Sequence, residues 1–276
     1  MLPYFVLMAA VLPAWRGNLR VTLGLVAAAS VFALPFAEVG FLGWICIVSL
    51  GLLLWSPESR QWSQAKLWTC SILFLILAEA MSNHFAPGFN NLAVVKGYRF
   101  SPDSQAFSLY LNFDKAVVGI FILLFSLRPQ SWPRITKAEG KVALQTLTAL
   151  IALMLPLSLL TGYVRVDFKF PELTWIWFLN NLFFVCVAEE ALYRGFIQNG
   201  LSKFKALPAW LPVVIGAVGF GLNHYRGGVP YILLATLAGL FYGYAYRRTR
   251  RLEASVMIHL AFNTLHFLAF SYPALA

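Results

Sequence analysis

The feature that most limits what this chain can fold into is a succession of long apolar runs separated by short polar breaks. The runs fall at 2–15, 20–36, 38–56, 66–83, 114–128, 142–164, 173–200, 209–225, 230–246 and 253–271. A helix needs roughly 20 apolar residues, within about 17–25, to cross the hydrocarbon of a bilayer. The first and fifth runs are short. The second and third share so little linker that they read as one tight hairpin near Pro35. The pattern predicts an all-α, polytopic helical membrane protein with about eight to ten transmembrane helices. A transmembrane barrel does not fit, because its strands alternate in segments of about ten residues.

Composition points the same way. The 276 residues are 60% hydrophobic and only 12% charged, against roughly 25% charged in a soluble domain. So little charge cannot cover a water-facing surface, and disorder requires low hydrophobicity. The net charge of +10 is no nucleic-acid signal, because the basic residues cluster between the runs. The clusters are Arg16 and Arg20; Arg128, Arg134, Lys137 and Lys141; Lys203 and Lys205; and Arg247, Arg248, Arg250 and Arg251. Such clusters mark cytoplasmic loops. With 57–65 (carrying Arg60), 128–141, 202–208 and 247–252 in the cytoplasm, segments 84–113, 165–172 and 226–229 fall outside. Segment 84–113 reads as a loop or surface-lying piece without chemistry. Cys46, Cys70 and Cys186 show neither metal-ligand spacing nor a disulfide framework. The N-terminal run has no basic residue before it, and reads as a retained first helix rather than a cleaved signal. No internal repeat is visible.

Chemistry is sought where ionisable groups interrupt apolar helices. At membrane depth they cost about 2.5–3.5 kcal/mol on insertion scales and face the protein interior or a wet cavity. The group comprises Glu189, Glu190 and Arg194 in FFVCVAEEALYRGF, His224 in VGFGLNHY, and His259, Asn263 and His266 in SVMIHLAFNTLHF. Glu79 lies near a span end and Glu38 at a turn. Glu190 and Arg194 stand at the i,i+4 spacing at which acid and base meet along a helix. Glu189 is rotated from Glu190 by about 100°, so one acid can pair while the other faces elsewhere. A structural ion pair explains the same residues. Counted from the basic loops, Glu189 lies about 24 Å deep, His224 about 20 Å and His259 about 12 Å at 1.5 Å per residue. His259 and Asn263 share a helix face and offer donors to an oxyanion. A polar seam between membrane helices would look the same.

Taken together the residues resemble a family. EEALYR at 189–194 fits EExxxR, FGLNH at 220–224 fits FxxxH, and HLAFN at 259–263 fits HxxxN. Three such motifs in this order on hydrophobic helices are similar to the CPBP family of CAAX proteases and bacteriocin-processing enzymes, which includes the glutamate-dependent type II CAAX prenyl endopeptidases. The resemblance covers roughly 140–270. It implies an intramembrane endopeptidase with its active site in the C-terminal helices. Residues 136–276 would form the protease-like core and 1–135 a transmembrane region of unassigned role. Glu189 would be the general base that activates water, with His224 assisting. His259 and Asn263 would hold the oxyanion, and Glu190 and Arg194 would position the base. Peptide hydrolysis needs these parts under any name. No cofactor is expected on this reading. A catalytic zinc on Glu189, His224 and His259 is the other branch, since two imidazoles and a carboxylate with an open position suit that ion, although the HExxH motif is absent. The implied partners are the bilayer and a protein or peptide substrate, with or without lipid modification; the small, unadorned chain suggests a bacterial inner (plasma) membrane as the location. The competing readings are a non-catalytic scaffold or immunity or regulatory member of the family, and a transporter.

Overall fold

The computed structural model describes residues 1–55, 63–127 and 135–276. Arg60, Arg128 and Arg134 of the basic clusters lie outside the described residues. Every apolar run becomes helical where it is described. The helices are α1 (Leu2–Trp15), α2 (Leu19–Ala33), α3 (Phe41–Trp55), α4 (Gln64–Ser82), α5 (Phe113–Phe125) and α6 (Lys137–Leu160). They continue as α7 (Thr174–Leu201), α8 (Leu211–Leu222), α9 (Gly228–Thr249) and α10 (Leu252–Ala269).

Among the described residues six segments are long and apolar enough to cross a membrane: Leu19–Phe36, Ala65–Ser82, Lys137–Leu160, Thr174–Leu201, Tyr225–Thr249 and Leu252–Ala269. The expected eight to ten are not reached by this measure. Leu2–Trp15, Phe41–Trp55 and Leu211–Leu222 are apolar but shorter, and at 1.5 Å per residue such helices reach only about 18–23 Å.

Local chemistry sets the helix ends. Asn18 caps α2 by accepting from the Val21 amide at 3.2 Å. Thr136 and Glu139 form a reciprocal capping box at the head of α6, satisfying amides that have no helical partner. Helix α9 ends with Arg247 and Arg248 in its last turn and Arg250 in the left-handed conformation.

Segment 84–113 is not simply a loop. Leu92–Tyr98 (β1) and Phe107–Leu111 (β2) pair as a two-stranded ribbon. In β2 the alternation is regular, with Leu109 and Leu111 buried and Ser108 and Tyr110 exposed, the period of a half-covered strand.

The described chain forms two compact units interleaved along the sequence. The first comprises Met1–Leu92, Leu111–Pro133 and Phe183–Leu192. Here α5 packs against α1, α3 and α4 and against the middle of α7. At Gly119 the approach to α7 is backbone to backbone: a Cβ there would lie 2.7 Å from Ala188 Cα.

The second unit comprises Ala93–Tyr110, Arg134–Leu182 and Tyr193–Ala276. Helix α9 packs against α6, α8 and α10. Trp177 stacks on Phe267 with ring centroids 4.0 Å apart, and Phe100, Phe107 and Tyr272 pack edge-on around them. The loop after β1 is tied to the rest of this unit by the Arg165–Asp103 ion pair. That guanidinium holds the Asp103 carboxyl down at about 2.

Candidate active site

The motif helix α7 is not a uniform α-helix. A π-helical segment, Asn181–Cys186, precedes the α-helical Val187–Glu190, and a second, Ala191–Gln198, follows it. π turns bond i to i+5 and occur mostly at functional sites. Glu189 and Glu190 therefore sit on a short α-helical step between wider turns. An i,i+4 pairing of Glu190 with Arg194 requires α geometry throughout, whereas residues 191–198 follow the wider register. Both acids are buried, Glu190 completely.

Within the first unit, Glu189 meets a residue that the motif reading did not single out. Lys115 Nζ donates to Glu189 Oε1 at 2.5 Å, with the lysine side chain 11% exposed and the glutamate 5%. A buried carboxylate is tolerated as an anion when a cation or donors stand beside it. Lys115 itself is placed by the head of α5. Asp114, fully buried, accepts from Asn91 Nδ2 at 3.0 Å and from the Lys115 amide at 2.8 Å. His84 Nδ1 lies 2.8 Å from its other oxygen. Asn91 Oδ1 accepts from the Phe113 amide at 2.8 Å. Segment 84–113, expected to carry no chemistry, thus supplies part of the network that orients α5. The sequence signal for Lys115 was the Asp114-Lys115 doublet at the head of an apolar run.

Within the second unit, the other motif residues gather on one aromatic ring. Phe220, first residue of FGLNH, lies with its centroid 4.7 Å from the His224 ring and 5.6 Å from the His259 ring. The Arg194 guanidinium carbon stands 4.8 Å over the same ring and 5.4 Å from Tyr242. Tyr242 in turn stacks on His259 at 4.6 Å with an interplanar angle of 16°. Arg194, His224 and His259 are therefore brought together, and the conjugated faces of Phe220 and Tyr242 suit a cation.

Arg194 and His224 are also held by backbone carbonyls. Arg194 Nη2 donates to the Gly239 carbonyl at 2.8 Å, and one turn on Gln198 Nε2 donates to the Gly243 carbonyl at 2.9 Å. Glycines four apart on α9 let its neighbours approach closely, the usual packing of membrane helices. A Cβ at Gly239 would lie 3.1 Å from Ala217 Cα. His224 is not inside a span as expected. Helix α8 ends at Leu222, and His224 occupies the turn that follows. Its Nδ1 is 2.7 Å from the Phe220 carbonyl. A carbonyl only accepts, so Nδ1 carries the hydrogen, and Nε2 is the basic nitrogen of the neutral ring. Asn263 Nδ2 donates to Asn181 Oδ1 at 3.2 Å. Asn181 stands in the polar doublet Asn180-Asn181 within an apolar run, a visible signal that the motif reading passed over. His266 lies half-buried one turn beyond Asn263, its ring 5.1 Å from that of Tyr272. Among the described residues no three His, Cys, Asp or Glu side chains form a group able to hold a metal ion, so no step is derived through zinc.

Long apolar helices that carry buried acids, a guanidinium, an imidazole and amides define a multi-pass helical membrane protein. Residues 171–265 match the family model described as type II CAAX prenyl endopeptidase Rce1-like. The matched segment contains all three motifs, bears out the resemblance read from them, and supports a peptidase. The chain is an integral, multi-pass membrane protein. Comparison with curated proteins and with solved structures returned no match.

Proposed function

We propose that the protein is a glutamate-dependent intramembrane endopeptidase of a bacterial inner membrane, cleaving a membrane-associated protein or peptide with base-activated water. The observation that carries the reading is the ordered set of motif residues Glu189, Glu190, Arg194, His224, His259 and Asn263 inside the segment that matches a peptidase family. The protease core is assigned to residues 136–276.

In this reading Glu189 takes a proton from water as the water oxygen bonds to the scissile carbonyl carbon. The carbonyl electron pair moves onto its oxygen, which accepts hydrogen bonds from His259 and Asn263. Collapse of the tetrahedral intermediate breaks the C–N bond, and the proton held by Glu189 passes to the leaving amine. His224, through its basic Nε2, assists the water. Arg194 and Glu190 hold the helix that carries the base. The Asn263 amide is held in place by its bond to Asn181, which supports a fixed donor at that position.

The test is a comparison of membranes carrying wild-type, Glu189→Gln or His224→Ala protein, read for accumulated uncleaved substrate. Both variants are expected to accumulate the same precursor while inserting normally. Wild-type processing by Glu189→Gln protein overturns the enzymatic reading in favour of a scaffold. Treatment with a zinc chelator is expected to leave processing unchanged, and loss that is restored by added zinc would replace this mechanism with the metal-dependent one.

A further inference from the structure

Helix α5 is apolar along most of its length, yet its first turn carries Asp114, which is buried, and Lys115, whose side chain is only 11% exposed. An ammonium enters such a place at a cost unless it is paired. The partner here is the carboxylate that the proposed function uses as its base. We infer that Lys115 is a positioning residue for Glu189, an inference that rests on that reading and adds a part that the three motifs do not contain.

Three observations within the first unit carry it. The Lys115–Glu189 contact is short, 2.5 Å, between two side chains that are each nearly excluded from solvent, so it is screened little. The backbone beneath Lys115 is held on one side by the bonds of Asp114 and Asn91. On the other side, one turn along the same helix, Gly119 lies against Ala188, the residue before Glu189. A lysine whose only task was to neutralise a buried acid would need no such bracing. Lys115 donates to Oε1 and thereby sets the plane of the carboxylate and the direction in which its other oxygen points. A base displaced by about 1 Å loses on the order of 100-fold in rate.

The experiment extends the membrane comparison to five proteins: wild type, Glu189→Gln, Lys115→Met, Lys115→Arg and the Glu189→Gln/Lys115→Met double variant, each full length and checked for equal amount and melting temperature. The protein whose precursor accumulates with Glu189→Gln then serves as the purified substrate. Lys115→Met is expected to lower kcat about 100-fold with KM held within about twofold. Lys115→Arg is expected to restore most of the rate, and Lys115→Met should add nothing in the Glu189→Gln background. If Glu189→Gln blocks processing while Lys115→Met works at wild-type rate, this inference falls and the endopeptidase reading stands. If Glu189→Gln itself processes normally, both fall. Equal loss in Lys115→Met and Lys115→Arg makes the lysine a structural residue and also overturns the inference.

Discussion

Gly119 offers the sharpest test of how the first unit is built. Replacing it with alanine puts a methyl group 2.7 Å from Ala188 Cα, 3.0 Å from its Cβ and 3.3 Å from its nitrogen. Carbon atoms rest about 3.5–4.0 Å apart, so the methyl falls roughly 0.8–1.3 Å short of the room it needs. The nearest atom is backbone on a helix, not the tip of a flexible side chain, and the strain cannot be relieved by a rotamer change. Overpacking of this kind costs about 1–3 kcal/mol. Moving α5 away by that distance would also open the 2.5 Å Lys115–Glu189 contact past the usual limit of about 3.2 Å. Gly119→Ala is therefore expected to unfold earlier than wild type in detergent and to lose activity along with stability. Gly24→Ala is the control: it lies in an exposed part of α2, and its Cβ meets nothing within 4 Å. It is expected to be neutral or stabilising by up to about 1 kcal/mol. An unchanged unfolding transition for Gly119→Ala would refute the close approach of α5 to α7.

In the second unit, Gly243→Ala would place a Cβ 2.9 Å from both Gln198 Oε1 and Val213 Cγ1, and a loss of about 1–3 kcal/mol is expected in chemical unfolding. Phe220→Leu keeps much of the volume but removes the ring shared by Arg194, His224 and His259; a desolvated cation–π contact is worth about 2 kcal/mol, and a drop of that order in stability should be measured. The Asp103–Arg165 pair gives a pH signature. Because its folded value is lowered to about 2 from an ordinary 3.8, Asp103 contributes stability above the ordinary value and loses it as pH falls toward 2. The gap in melting temperature between wild type and Asp103→Asn is thus expected to close across that window, and a gap that stays constant would contradict the pairing.

How much of this could be read beforehand depends on the range of the forces involved. Whether a run is helical is decided within the run, by burial of an apolar segment whose backbone must bond to itself. The apolar runs were therefore legible as helices, although α1, α3 and α8 proved shorter than a full crossing. The acids and imidazoles were equally visible, because a charge inside such a run stands out against its neighbours. The β1–β2 ribbon was less legible, since its alternation occupies a few residues amid glycine, proline and serine.

The amino-acid order alone determined the membrane-helical class and the places of Glu189, Glu190, Arg194, His224, His259 and Asn263 in and beside the later apolar runs. Tertiary packing alone decided which partners those side chains met. Lys115 reaches Glu189 across 74 positions of chain and Asn181 reaches Asn263 across 82, while Phe220 gathers groups from several helices. No local propensity encodes a contact between such distant segments. The π turns on either side of Glu189-Glu190 belong with them, because the choice between an i+4 and an i+5 bond follows the demands of the neighbours against which the helix is packed.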